Sequence, residues 1–345
     1  MKNLFFVYIF YISCCLLSSC KDASHPFCPE RIYSIDMIES YSLGSIGTVY
    51  PYSILLEKDK ILILDDGMAD ILKIINTKGE LLLKFGDIGR GPGEFNQITS
   101  IDYNQTDSCF RVGVYDQGYK NYIEINENNA YNKLWESTLE LDVVHRINNS
   151  QFICSALYDS TALYLLDNAG QVIDKSLLFP PKPDGIPLLA HSMACSGILA
   201  VAKNAAWFAR SVVYDGGIDL FKIEGNKIIH KWRFSNFDMN YGIIKKYYNV
   251  PTPNENTKRG YLSICMGEDK IFALYSGRLV TAANSSEGNE IHVFDYDGNH
   301  VAKLISNKPL TQIAVSADQT KLFGINKQQE GEIMFVCDTI PFCIK

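Results

Sequence analysis

A strand–turn–strand pattern recurs through most of this chain and constrains its fold more than any other feature. In each copy, a run of alternating or apolar β-favouring residues leads into a polar turn rich in Asn, Asp and Gly, and a second such run follows. The turns centre near residues 78, 128, 169, 225 and 297, so successive copies lie 41 to 72 residues apart. A repeat of this size is typical of β-propellers and related arrays. The pattern therefore predicts one hairpin for each of five blades.

A sixth blade has to be assembled from the two ends of the chain. The last β runs, 321–325 and 332–336, have no hairpin partner after Asp338, and the strand-like run 31–37 has no partner before it. Pairing this first strand with the last blade would close the ring and remove both open sheet edges. We therefore predict an all-β fold, a six-bladed β-propeller with four-stranded blades, as a single domain over residues 31–345.

The N-terminal segment has the form of an export signal. Lys2 supplies the positive start, an apolar core runs from residue 4 to residue 17, and Ser18 and Ser19 precede Cys20. The core is too short, and too close to the terminus, to be preferred as a membrane-spanning helix. Small residues directly before a cysteine resemble the bacterial lipobox. An ordinary secretory signal with a chance cysteine is the alternative.

The lipobox resemblance implies that residues 1–19 are a lipoprotein signal peptide and that Cys20 becomes the acylated first residue of the mature chain. Stable anchoring takes more than one acyl chain, such as palmitate, and residues 20–30 would form a short tether. We expect a cell-envelope protein anchored to the outer membrane by lipid, on its periplasmic or its surface side. The formal net charge of −7 without basic blocks argues against nucleic acid as a partner.

Residues 61–95 carry the most specific family signature. The strand and turn at 61–67, the turn at 76–79 and the glycine-rich run at 85–95 resemble an NHL-type propeller repeat and its interblade loop. Together with the lipobox and the runs 260–264 and 271–277, they make the chain similar to the TolB-like six-bladed propeller lipoproteins of Bacteroidetes. The resemblance implies a cell-envelope propeller and supplies no catalytic residues.

Local motifs for catalysis or for a metal are absent from the sequence. The six histidines form neither H-x-H nor H-E-x-x-H, and no two cysteines have C-x-x-C spacing. The glycine-rich loop at 86–93 lacks both the Gly-Lys-Ser/Thr ending and a following helix, so a crossover between blades is favoured over a phosphate loop. We therefore expect a binding or scaffolding module for a protein or glycan, with no cofactor and no metal. The alternative is a metal-dependent lactonase- or lyase-type enzyme with ligands such as His145 or His191 converging in the central channel.

Three connections are longer than the others: 180–191, 238–259 and 278–289. Long ordered loops on a rigid scaffold are where binding sites concentrate. The second includes a helix-compatible stretch, 241–248, ahead of two prolines. Cations and aromatics on one face would suit a protein, a carbohydrate or an anionic glycan, and a solvated loop surface is the alternative. The candidate binding face comprises Arg90, His191, Lys245, Tyr247, Tyr248, Arg259 and Arg278.

The cysteines leave one question open. Cys28 lies near the mature start and Cys343 near the end, whereas most of the others lie in apolar, strand-like runs. If the termini meet, these two could form a disulfide, but pairing cannot be deduced from sequence alone.

Overall fold

Six four-stranded sheets stand around a central channel in the computed structural model of the protein. The structure describes residue 29 and residues 31–341, apart from 68, 92, 107–108, 127, 129, 203–205, 246–248 and 329–330. The prediction of a six-bladed β-propeller is confirmed. No helix within the described residues is long and apolar enough to cross a membrane.

The strands are numbered in chain order. They are β1 (Ile32–Ile35), β2 (Ile38–Ser42), β3 (Pro51–Glu57), β4 (Lys60–Asp65), β5 (Leu72–Asn76), β6 (Leu81–Phe85), β7 (Asp87–Ile88), β8 (Glu94–Phe95), β9 (Ile98–Thr106), β10 (Cys109–Asp116), β11 (Asn121–Asn126), β12 (Tyr131–Glu136), β13 (Leu141–Asn148), β14 (Gln151–Ala156), β15 (Leu163–Asp167), β16 (Val172–Ser176), β17 (Gly197–Val201), β18 (Trp207–Val212), β19 (Gly217–Glu224), β20 (Lys227–Ser235), β21 (Gly242–Ile244), β22 (Val250–Thr252), β23 (Tyr261–Met266), β24 (Lys270–Tyr275), β25 (Gly288–Asp295), β26 (His300–Leu310), β27 (Gln312–Val315), β28 (Leu322–Gln328) and β29 (Gly331–Cys337). A 3-10 helix spans Leu43–Ile46, and the α-helix α1 spans Leu188–Ala194.

Each blade is an antiparallel sheet whose first strand lines the channel. Blade 1 is β3–β6, blade 2 is β9–β12, blade 3 is β13–β16, blade 4 is β17–β20 and blade 5 is β23–β26. Blade 6 consists of β27, β28 and β29 with β2 as its outermost strand. The five hairpins predicted from the polar turns are the third and fourth strands of blades 1 to 5.

The N-terminal segment closes the ring, although through a later strand than the sequence indicated. β2 pairs antiparallel with β29, with Ile38 opposite Val336, and so completes blade 6. The run 31–37 instead forms β1, which adds a fifth, parallel strand to blade 5 with Ile32 opposite Lys303. Both strands cover an exposed sheet edge. The alternation of apolar and polar residues in a short strand does not encode which edge that strand will cover.

Apolar side chains from adjacent blades form one hydrophobic cluster at each seam of the ring. In β4, Ile61 and Ile63 pack toward blade 6, while Leu62 and Leu64 pack toward blade 2. Alternate residues of a strand point to opposite faces, and both faces of each blade are covered. This explains why the inner strands are nearly continuous apolar runs and not a simple alternation.

The connections between strands divide between the two ends of the propeller. Those from a second to a third strand, and those from a fourth strand to the next blade, lie at one end, which we call the upper face. All three long connections belong to it. The stretch 241–248 was predicted as helix-compatible, but its described part contains the strand β21, paired with β22. Tyr241 and Ile243 pack against the cluster beside α1, and this tertiary contact overrides the local helical tendency.

The glycine-rich loop is a crossover from blade 1 to blade 2. Its ends form the short parallel pair of β7 and β8, and the Glu94 carboxylate accepts a hydrogen bond from the Gly91 N–H at 2.6 Å. Gly86 has a φ of +86°, and a Cβ there would lie 3.0 Å from Ile71 and from Phe95. Glycine is therefore required where the chain leaves blade 1.

Candidate functional site

The central channel encloses about 770 Å³ between the six innermost strands. These strands are β3, β9, β13, β17, β23 and β27, and each is hydrogen-bonded within its blade on one side only. The unpaired edge of each strand therefore presents its backbone N–H and C=O groups toward the channel. The volume falls in the range of small-molecule binding sites.

The wall of the channel differs between its two halves. Among the described lining residues, the charged and histidine side chains all come from blades 1 to 3: Glu57, Lys58, Asp102, His145 and Arg146. Blades 4 to 6 contribute Ile, Leu, Val, Ala, Met and Cys, with Ser263 and Gln312 as their polar side chains. The Ser263 hydroxyl is engaged internally with the backbone N–H and C=O of Ile313, at 3.1 and 3.4 Å. The charged and histidine side chains are thus confined to one half of the channel, which also contains apolar residues such as Ile54 and Val143, and the other half is mainly apolar.

An aspartate–histidine pair joins the inner strands of blades 2 and 3 in the polar half. His145 Nδ1 lies 2.7 Å from Asp102 Oδ1. The other carboxylate oxygen accepts hydrogen bonds from the Arg146 backbone N–H at 2.8 Å and from the Tyr122 hydroxyl at 3.0 Å. Burial, together with the Asp102 charge, raises the pKa of Tyr122 well above its usual value, so its hydroxyl stays protonated. The carboxylate is held from three directions and fixes the orientation of the imidazole.

The Arg146 guanidinium points into the seam between blades 2 and 3. It pairs with Glu124 at 2.6 Å and lies over the rings of Phe152 and Tyr122, at 4.9 and 5.8 Å from their centroids. Arg111 contacts the same glutamate at 3.2 Å. The charge of Arg146 is therefore matched within the protein.

The two histidines considered as metal ligands lie in different places. His145 lines the channel, whereas His191 is on α1, 1 % exposed, outside the lining. Within the described part of the chain, no three His, Cys, Asp or Glu side chains are grouped closely enough to hold a metal ion.

His191 is also unsuited to the exposed binding face for which the sequence made it a candidate. Its Nε2 donates to the Pro180 carbonyl at 2.9 Å, and its Nδ1 accepts from the Tyr241 hydroxyl at 2.9 Å. Burial lowers the pKa of His191, which keeps the ring neutral. The nearby Cys195 thiol is buried as well, which raises its pKa to about 12 and makes it unreactive. His191 stabilises the fold of the upper face.

The other candidate residues lie on upper-face connections, as their positions in the chain imply. Arg90 is exposed and lies beside a groove of about 430 Å³ that Tyr131 and Lys133 also line. Lys245 is exposed and Arg259 is half-buried. Arg278 donates to the carbonyls of residues 284 and 287, both at 2.8 Å, and so organises its own loop. Tyr247 and Tyr248 lie outside the described residues, as do Cys20, Cys28 and Cys343.

The structure adds an apolar feature that the sequence analysis missed. Ten of the sixteen exposed large hydrophobic side chains in the described residues lie on upper-face connections, and the other six lie on outer strands. Several of the ten surround α1, and we call this group the α1 ridge. Its members are Tyr158, Leu177, Leu178, Leu188, Leu189 and Ile244. Adjacent leucine pairs in connections, which have no strand partner to cover them, were the available sequence signal.

Contacts around α1 hold several parts of the ridge together. The Asp159 N–H donates to the Ser192 hydroxyl at 3.2 Å, which joins the loop of Tyr158 to the helix. β22 packs against α1, and Ile186, Tyr241 and Ile243 share a buried cluster with Ala194. The ridge therefore stands on an ordered base.

Residues 34–318 match the family described as TolB-like 6-blade propeller-like. The chain belongs to this family. The match extends over most of the chain, so the resemblance first visible at 61–95 is confirmed for residues 34–318. A comparison with curated proteins gives no significant match.

Two solved structures illustrate the similarity of this TolB-like chain to known propellers. A protein of Bacteroides fragilis NCTC 9343, named as exported, is 12 % identical with a TM-score of 0.54, over 88 % of this chain and 98 % of that chain. Regucalcin of Agrobacterium tumefaciens, a calcium-binding protein, is 8 % identical with a TM-score of 0.49, over 90 % of this chain and 95 % of that chain. At 12 % identity, the similarity to the Bacteroides fragilis protein concerns the fold alone.

Proposed function

We propose that this protein is a lipid-anchored, extracytoplasmic propeller that binds a partner protein through the α1 ridge. The export signal at 1–19 and the cysteine that follows it support secretion and acylation at Cys20. The similar Bacteroides fragilis protein is named as exported, which is consistent with that location. Outer-membrane anchoring is part of the same proposal.

The α1 ridge is the observation that carries the binding role. Leu188 and Leu189 are 47 % and 48 % exposed side by side on one helix, and Tyr158 is 53 % exposed beside them. Exposed apolar groups that share an ordered surface are characteristic of protein interfaces. A glycan would require hydrogen-bonding groups, which the ridge side chains do not supply, except for the hydroxyl of Tyr158.

The tether leaves the ridge accessible to an envelope protein. β1 runs parallel to β26, from the lower to the upper face, so the chain from Cys20 joins the propeller from the lower side. The 11 residues from Cys20 to Glu30 reach at most about 36 Å. The upper face then points away from the anchoring bilayer, which favours a protein and not the lipid surface as its occupant.

The docking proposal is tested by photo-crosslinking in intact cells. Benzoylphenylalanine replaces Leu189 in the lipidated chain, and Leu82, 49 % exposed on the outer strand of blade 1, provides the matched control position. We expect a discrete protein adduct at position 189 that is absent at position 82 and is lost when Leu188→Ser is added. With the identified partner purified, L188S/L189S should weaken binding at least tenfold, whereas L81S/L82S should not.

Three results would overturn the docking proposal. These are equal adducts at both positions, an adduct that consists of glycan or lipid, and unchanged affinity in L188S/L189S. Stoichiometric zinc or calcium in the purified protein would instead favour the metal-dependent enzyme.

The anchor is tested separately through Cys20. Cys20→Ser should remove the acyl chains and release the protein from the membrane fraction, because a single polypeptide tether provides no hydrophobic anchor. Mass spectrometry of the mature N-terminus should show a diacylated or triacylated cysteine in the wild-type protein. An unmodified Cys20 in a membrane-free protein would contradict this part of the proposal.

A further inference from the structure

We propose that the central channel binds a small hydroxyl-bearing amphiphile, a molecule with a sugar-like head and an alkyl or aryl body. The channel and the α1 ridge have no residue in common. The small-molecule site and the protein-docking surface are therefore independent, and either can fail without the other.

His145 provides the recognition group for the head. Asp102 is an acceptor, so the short contact at 2.7 Å places the proton on Nδ1 of the imidazole. In the neutral ring Nε2 is then the acceptor, and it has no hydrogen-bond partner among the described residues. Because Asp102 is itself held by Tyr122 and by the Arg146 backbone, the ring is preorganised to accept a hydrogen bond from a ligand hydroxyl.

The opposite half of the channel is suited to the body of such a ligand. Ile198, Leu262 and Met266 lie in a wall that contributes no charged side chain among its described lining residues. An ionised group placed there would be desolvated without a partner, whereas an alkyl or aryl group would gain by leaving water. Arg146 is already paired with Glu124, so the neighbouring head-group region does not depend on an anion. These features favour a neutral, hydroxylated head and a single apolar body.

Isothermal titration calorimetry with n-hexyl, n-heptyl and n-octyl β-D-glucoside tests the proposal, each held below its micelle-forming concentration. The full mature chain carries Cys20→Ser, so no detergent is needed. Burial of each added methylene against the apolar wall should tighten binding about fourfold. His145→Ala should weaken all three glucosides by a similar factor, about fivefold, because the lost hydrogen bond belongs to the shared head. His230→Ala, the other histidine paired with an aspartate, is the matched control and should bind like the parent.

Each result decides for or against the channel site. A chain-length dependence in the parent protein together with selective weakening in His145→Ala supports it. Affinity independent of chain length, or equal affinities in His145→Ala and His230→Ala, overturns it. The chain-length series needs no substitution in the channel, so an affinity that is independent of chain length overturns the site even if a channel variant folds poorly.

Discussion

Two aspartate–histidine pairs lie within the described residues, and their surroundings give them different roles. Asp102 and His145 bridge blades 2 and 3 at the channel, and the other donors to the carboxylate within the described residues, the Tyr122 hydroxyl and the Arg146 N–H, are neutral. Asp219 and His230 lie within blade 4, where the carboxylate also pairs with Arg210 at 3.0 Å and Arg233 at 2.8 Å. Two guanidinium groups therefore neutralise Asp219, whereas Asp102 orients a single imidazole. The same residue pair is structural in blade 4 and is available for binding in the channel.

The two pairs differ in how many buried charges surround them. Asp219 and Arg210 are each 3 % exposed, and Arg233 also bonds to the buried Asp215. Buried charges are tolerated only when they are paired and hydrogen-bonded, so each member of this network depends on the others. Near the channel, the His145 side chain is 17 % exposed, and water can replace a lost partner.

The largest effect is therefore expected from removing the buried carboxylate of blade 4. Asp219→Ala leaves Arg210 and Arg233 without their shared partner, so the free energy of unfolding should fall by about 3–5 kcal/mol in urea denaturation. Glu136→Ala, which breaks an exposed pair with Lys133, is the control and should change stability by no more than about 0.5 kcal/mol. Similar losses of unfolding free energy in the two variants would show that the buried network of blade 4 does not stabilise the fold more than an exposed ion pair does.

The pH dependence of stability provides a second, smaller test. Burial alone would raise the pKa of Asp219, but the hydrogen bond to His230 and the charges of Arg210 and Arg233 outweigh it and lower the pKa to about 2. An unfolded aspartate titrates near 3.9, so the stabilisation is complete above about pH 4 and is lost as the pH falls toward 2. Its size is about 2 kcal/mol.

Equilibrium unfolding of the parent and of Asp219→Asn between pH 5 and pH 2 measures this contribution. The parent should lose about 2 kcal/mol more than the variant over that interval, because the amide does not titrate. Parallel curves would mean that Asp219 titrates alike in the folded and unfolded chains.

The hairpins were predictable because their determinants are local. Asn76 accepts hydrogen bonds from the N–H groups of Lys78 and Glu80, and Asp295 does the same for the turn of blade 5. These side chains build the turns from residues two and four positions away, and the strands on either side alternate in register. Residue types and short spacings are therefore sufficient to place each hairpin.

The candidate sites depend on contacts that the sequence pattern does not encode. Asp102 and His145 are 43 residues apart and meet only because the inner strands of two blades align around the ring. β1 was assigned to the wrong blade because two sheet edges could accept a short strand. His191 lies in a long connection and was therefore expected to be accessible, but Tyr241, 50 residues later, covers it. Closure of the ring and packing of the long connections decide all three.

The smallest effect on stability is expected at the channel. His145→Ala removes one hydrogen bond from Asp102 but leaves the Tyr122 hydroxyl and the Arg146 N–H in place, and channel water can reach the vacated position. The loss in the free energy of unfolding should be about 1 kcal/mol, well below that of Asp219→Ala. Urea denaturation of the two variants under identical conditions makes the comparison. A loss of 3 kcal/mol or more in His145→Ala would mean that the channel pair stabilises the fold as the blade 4 pair does. His145 would then have a structural role, and the proposed role in ligand binding would lose its basis.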